Sequence, residues 1–190
     1  SRVSDAFNAA DQIEFTGGKK NTINFEFVKG RLKARYYMSS PQAAVRYFEK
    51  MYEDMPTNEN KYAYISALQA NGQTDRALHQ MDELLKKFSK NLILNITKSE
   101  ILLSGQRLNE AQENIEQVLN IAPGNYPASI IKSKILSSKK EFIKAEEILR
   151  DLLIGKNRDP GLWIQLSEVQ RAGKNIVGYH LSRGEYYTLI

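Results

Sequence analysis

The chain has 190 residues, 42% of them hydrophobic and 26% charged, which is enough apolar material for a core and excludes a chain disordered by composition. It contains no cysteine, so disulfide staples and thiolate zinc sites are excluded, while the redox compartment is left open. The net charge is a modest +5, with Lys and Arg scattered rather than gathered in a block, so a nucleic-acid surface is disfavoured.

No apolar run reaches the roughly 18 residues of a membrane span, and the polar, amphipathic stretch Ser1 to Phe15 does not read as a signal peptide. Its spacing predicts a helix over about Arg2–Phe15, with Val3, Ala6, Phe7 and Ala10 on one face. Thr16-Gly17-Gly18-Lys19-Lys20-Asn21 reads as a loop; it lacks the flanking strand and full glycine spacing of a phosphate cradle. Thr22 can cap a helix over about Asn24–Met38, which carries Phe25, Val28, Leu32, Ala34 and Tyr36. Ser40-Pro41 is a cap followed by a first-turn proline and opens a helix to about Asp54.

Three helix pairs come next. Their first helices are expected at about Asn58–Asn71, Leu92–Ser104 and Tyr126–Ser138, and their second helices at about Asp75–Phe88, Leu108–Ile121 and Phe142–Ile154. Asp159-Pro160 repeats the cap signal and starts a helix that Gly173-Lys174-Asn175 ends. A last helix runs from about Ile176 to Ile190, and its apolar end (Tyr186, Tyr187, Leu189, Ile190) suggests that the natural chain continues. No β alternation or hairpin dipeptide interrupts this pattern. The expectation is one domain over 1–190, with flanking helices in 1–40, repeats in 41–158 and a closing helix pair in 159–190.

Ala77, Ala111 and Ala145 lie 34 residues apart, and their surroundings return with them. Nine residues before come Leu68, Leu102 and Leu136; four after come Met81, Ile115 and Leu149; seven after come Leu84, Val118 and Leu152, each followed by leucine. One more period brings Trp163, Leu166, Ser167 and Gly173, and Ala44, Phe48, Met51 and Pro56 form an earlier copy one residue out of phase. A small residue at this spacing suits the place where two helices cross, and the residues after it share one helical face.

The period and its side chains resemble those of the tetratricopeptide repeat, with Pro123 at the repeat-ending proline. Gln106 and Lys140 depart from that pattern, standing where the turn glycine, present here as Gly72, is usual. The resemblance implies an all-α, right-handed superhelical solenoid of about eleven antiparallel helices, a fold that usually holds partners. Counting the core alanine as repeat position 20 places Tyr62, Ile96, Ile130 and Ile164 at position 5 and Ser66, Glu100, Lys134 and Glu168 at position 9. In tetratricopeptide arrays these positions look toward the concave groove. They give an apolar stripe and a polar rail of mixed sign, and they are the candidate partner-binding residues. The stripe reads equally as packing. The Lys and Asn clamp that holds terminal carboxylates in this repeat class is absent, so an apolar helix or an extended peptide is the expected ligand.

No chemistry-bearing constellation emerges. His79 and His180 are 101 residues apart and form no zinc helix, His79 falls on the outward side of its helix, and no nucleophile sits in a recognisable elbow. Asp82-Glu83 and Glu146-Glu147 read as solvated faces rather than an acid/base pair. The chain is expected to be non-catalytic, without metal or cofactor of its own.

The flanks carry a narrower likeness. Ser1-Arg2-Val3-Ser4-Asp5-Ala6-Phe7-Asn8-Ala9-Ala10, with Phe25-Glu26-Phe27-Val28-Lys29-Gly30-Arg31-Leu32, resembles the segment after the protease domain in HtpX-like bacterial zinc metallopeptidases of the β-barrel assembly-enhancing type. Trp163 through His180-Leu181-Ser182-Arg183-Gly184-Glu185-Tyr186-Tyr187 resembles their tail, with Ser182 and Gly184 where alanine is usual. The resemblance implies a periplasmic setting, a partner or substrate in outer-membrane protein assembly, and zinc only in a protease domain that this sequence lacks. The partner could equally be that protease domain itself. A free-standing envelope-assembly or secretion adaptor is the alternative, and a protease helix upstream of Ser1 would separate the two.

Overall fold

The computed structural model describes residues 23–36 and 40–190. The expected helix over Arg2–Phe15, the loop after it and residues 37–39 lie outside the described residues. Within them the chain forms ten α-helices and no strand: α1 Ile23–Tyr36, α2 Pro41–Asp54, α3 Asn58–Ala70, α4 Thr74–Lys87, α5 Leu92–Ser104, α6 Leu108–Ile121, α7 Tyr126–Ser138, α8 Phe142–Gly155, α9 Pro160–Ala172 and α10 Ile176–Leu189. The sequence-expected bounds agree to within one or two residues wherever a helix is described, which is the usual spread at frayed ends.

Local chemistry explains where these helices start and stop. Ser40, Thr57, Asn91, Asn125, Asp159 and Asn175 each turn a side-chain oxygen onto a first-turn N–H, and prolines 41, 127 and 160 sit where a missing N–H costs nothing. At their far ends the first helices close alike. Gly72, Gln106, Lys140 and Lys174 recur every 34 residues, and all adopt left-handed backbone, with φ of 71°, 59°, 64° and 61°. The residue after each donates its N–H back to the helix, as Gln73 does to Leu68 O and Glu141 to Leu136 O, both at 2.9 Å. The turn geometry thus survives where glycine is absent.

The helices gather into two compact units, one ending at Lys87 and the other Phe88–Ile190. In the first, α3 is central and packs against α1, α2 and α4, whereas α1 hardly meets α2. Phe27, Phe48, Tyr62, Ile65, Leu68, Met81 and Leu84 are fully buried there. Of the apolar residues expected on α1, Ala34 is buried, but Phe25, Val28 and Leu32 are exposed, and Phe27 and Gly30 are buried in their place. A Cβ on Gly30 would come within 2.4 Å of the Glu59 carbonyl oxygen, so the close crossing selects the glycine face over the bulkier one.

In the second unit successive helices pack in antiparallel pairs, and α5 also touches α7. Ala111 and Ala145 are fully buried, as is Ala77 in the first unit. Ala145, Leu149 and Leu153 of α8 form one cluster with Leu162, Leu166 and Val169 of α9, and Phe142 and Trp163 pack at its edge. The last pair departs from the period, which puts Tyr179 where alanine stood. A tyrosine is too large for the crossing, and α10 buries Gly178 and Ser182 instead. A Cβ on Gly178 would lie 2.7 Å from Gln170 Nε2.

Candidate functional site

The position-5 residues do not form an open stripe. Tyr62 is fully buried, Ile96 and Ile130 are 7% and 9% exposed, and only Ile164 is half-buried. They belong to the packing between helices. Ile130, for one, is part of the cluster formed by Leu149 and Leu153 of α8 with Leu162 and Leu166 of α9. Of the position-9 residues, Ser66 is half-buried and donates its hydroxyl to Tyr62 O at 2.9 Å, while Glu100 is half-buried. Lys134 and Glu168 are exposed.

Lys134 and Glu168 line a cavity of about 440 Å³ among α5, α7, α8 and α9. Leu103 and Ser104 contribute from α5, Ser133 and Ser137 from α7, and Gln165 from α9. The repeat period assembles the site. Within the second unit Leu103 and Ser137, one 34-residue period apart, both line it. Three serines at position 8 keep the helices close together. Ser99, Ser133 and Ser167 are all at most 1% exposed; Ser133 donates to Ile130 O at 2.9 Å and Ser167 to Ile164 O at 2.7 Å. Ser99 accepts from Asn114 Nδ2 at 2.8 Å. This serine series has the same 34-residue spacing as the alanines and was there to be read in the sequence.

The chemistry of the cavity is polar. Lys134 of α7 brings a cation and Glu168 of α9 an anion, and Ser104, Ser133 and Ser137 line it with them. Gln165 supplies the most specific feature. Its side-chain carbonyl oxygen is buried and accepts no hydrogen bond. Such an orphaned acceptor costs about 1–3 kcal/mol, which a ligand N–H or O–H would recover. Apolar Leu103, Leu149 and Val169 floor the cavity.

Elsewhere the acidic pairs are engaged rather than merely solvated. Glu83 is half-buried and paired with Lys61, which draws its carboxyl below the ordinary range. Burial alone would raise the Glu146 carboxyl, but hydrogen bonds from Gln170, Arg150 and Asn175 outweigh it and hold the group low. His79 and His180 are exposed. Among the described residues no group of three or more His, Cys, Asp or Glu is placed to hold a metal ion, and no helix is long and apolar enough to cross a membrane.

No family model matches the chain, and no curated protein matches it in sequence. Solved structures do resemble it. A tetratricopeptide repeat protein from Parabacteroides merdae superposes with a TM-score of 0.71 at 14% identity, covering 97% of this chain and 71% of its own. A thermophilic tetratricopeptide-repeat protein of Thermus thermophilus gives 0.67 at 17% identity, over 88% of this chain and 90% of its own. MamA from Desulfovibrio magneticus gives 0.59 at 16%, over 90% and 95%. At these identities the likeness concerns architecture alone. Together with the 34-residue period and its buried alanines, it shows that this chain has the tetratricopeptide-repeat fold.

Proposed function

We propose that this chain is a non-catalytic protein-interaction domain that holds an extended peptide segment in the cavity among α5, α7, α8 and α9. The buried, unpaired Gln165 carbonyl oxygen carries this reading, because it calls for a donor such as a peptide N–H. Lys134 and Glu168 would meet charges of either sign on the same segment, and the apolar floor would take a small side chain. The position-5 stripe is withdrawn as the contact surface, since Tyr62, Ile96 and Ile130 are already packed.

The resemblance of the Ser1–Ala10, Phe25–Leu32 and His180–Tyr187 segments supports a narrower reading. In it the domain is the partner- or substrate-binding region of a periplasmic zinc metallopeptidase serving outer-membrane protein quality control, with zinc confined to a separate protease domain. A free-standing envelope adaptor is the competing reading, and the coding sequence upstream of Ser1 separates them: a His-Glu-x-x-His helix decides for the protease.

Binding itself is tested with an array of peptides drawn from outer-membrane β-barrel proteins, probed with the parent chain and with Gln165→Leu and Lys134→Glu. Both variants should stay folded and lose the peptides that the parent retains. Unchanged retention by both would remove the cavity as the binding site.

A further inference from the structure

In the first unit the contact between α1 and α3 stands apart from the other helix pairs in its make-up. Among the described residues α1 packs mainly on α3 and hardly meets α2. The contact is built from matched parts. Phe27 rests against Tyr62 with ring centroids 5.3 Å apart. Gly30 lets the two backbones approach so closely that a Cβ there would lie 2.4 Å from Glu59 O and 3.2 Å from Ala63 N. Ala34 continues this small-residue face one turn on and is 1% exposed. Charge is matched as well. Glu59 is paired with Lys33, and Lys29 Nζ stands 3.8 Å from its other oxygen. Asn58 Nδ2 donates to Glu26 Oε2 at 3.3 Å. The opposite side of α1 is left open, with Phe25, Val28 and Leu32 exposed.

An aromatic anchor, a small-residue crossing and a lysine–carboxylate pair are also the parts by which a separate amphipathic helix is recognised in a groove. α3 itself is enclosed by α2 and α4 as well. We propose that the face of α3 formed by Glu59, Tyr62 and Ala63 is a helix-docking site, which α1 fills in cis and which a basic amphipathic helix of the same pattern can take in its place. The pattern is an aromatic residue, a glycine three positions on, an alanine four beyond that, and lysines flanking the glycine. This site is independent of the cavity in the second unit.

The glycine makes the idea testable. In an ordinary helix Gly→Ala favours the helix; here it blocks the crossing. Gly30→Ala in the whole chain should raise amide exchange over 23–36 at least tenfold while leaving α2, α3 and α4 protected. A fluorescent synthetic peptide of residues 23–36 should then bind the Gly30→Ala chain at least tenfold more tightly than the parent, whose site is occupied. Adding Glu59→Lys to that variant should abolish the gain. Loss of protection throughout α2–α4, retention of protection in α1, or equal peptide binding by parent and variant would each overturn the proposal. The first of these would make α1 an integral part of the unit's core.

Discussion

Ser182 Oγ donates a 2.8 Å hydrogen bond to Gln170 Oε1, and both residues are at most 3% exposed. The chain of bonds continues: Gln170 Nε2 donates to Glu146 Oε1 at 3.0 Å, and the same carboxylate accepts from Arg150 Nε at 2.9 Å and from Asn175 Nδ2 at 3.3 Å. One buried amide therefore ties α8, α9 and α10 together where the repeat has lost its alanine.

Gln170→Leu keeps the volume and removes both bonds, stranding the Ser182 hydroxyl in a buried place. It should destabilise the chain by about 1–3 kcal/mol in urea unfolding. Combined with Ser182→Ala the loss should be less than additive, because the two groups share one bond.

The same network sets a pH dependence. The Glu146 carboxyl is held below its ordinary value of 4.5, because hydrogen bonds to its charged form overcome the opposing effect of burial. A depressed folded-state pKa stabilises the fold above the unfolded-state value and ceases to do so as the pH falls through the folded-state value. Stability from this group is thus complete above about pH 4.5 and is lost progressively below it. Glu146→Gln should lower the melting temperature at pH 7 and narrow its gap to the parent as the pH falls below that point. A constant gap from pH 7 to pH 3 would contradict the assignment.

The left-handed turn residues give a prediction of opposite sign. Gln106 and Lys140 hold φ near +60°, as Gly72 does at the equivalent place, and L residues are strained there. Gln106→Gly and Lys140→Gly should each stabilise by a few tenths to about 1 kcal/mol, the relief of strain exceeding the extra entropy that glycine loses on folding. Gly72→Ala should do the reverse. Lys174→Gly is expected to behave like the first two, although Gly173 is the residue that a reading of the sequence alone would choose for the turn. Gly173 serves another purpose, since a Cβ there would lie 2.9 Å from Phe142 Cβ.

What the sequence made legible follows from what a strict period encodes. Ala77, Ala111 and Ala145 announced the helix pairs because a close crossing tolerates only a small side chain, and caps such as Ser40 and Asp159 marked helix starts through local bonds alone. The faces at either end of the repeat array were harder to read. Among the described residues α1 and α10 meet neighbours on fewer sides than an internal helix does, so bulky apolar spacing alone does not mark the buried face: Gly30 and Gly178 do, through contacts that periodicity does not record. The candidate cavity was half legible. Lys134 and Glu168 followed from repeat arithmetic, but Gln165 did not, because an orphaned acceptor is a property of its surroundings in space.

The alanine register can be challenged directly. Ala111 is fully enclosed, whereas Glu113, two residues on, is exposed. Ala111→Trp should cost at least the roughly 1–3 kcal/mol of ordinary overpacking, and Glu113→Lys should stay within about 0.5 kcal/mol. Equal shifts in melting temperature would mean that the helix faces are assigned wrongly.

The final prediction separates packing from binding within α7. Ile130 is 9% exposed and belongs to the cluster with Leu149 and Leu166, while Lys134, one helical turn on, faces the cavity. Ile130→Asp should lose at least the roughly 2–5 kcal/mol of an aliphatic truncation, with the cost of enclosing a carboxylate added to it. Lys134→Glu should leave the melting temperature nearly unchanged, since an exposed position seldom shifts stability by more than about 0.5 kcal/mol, yet should alter which peptides the chain retains. If Ile130→Asp remained fully folded and lost peptide binding, the position-5 stripe would be restored as the contact surface. If Lys134→Glu unfolded the chain, its place at the cavity would be structural and the polar strip could not be the binding face.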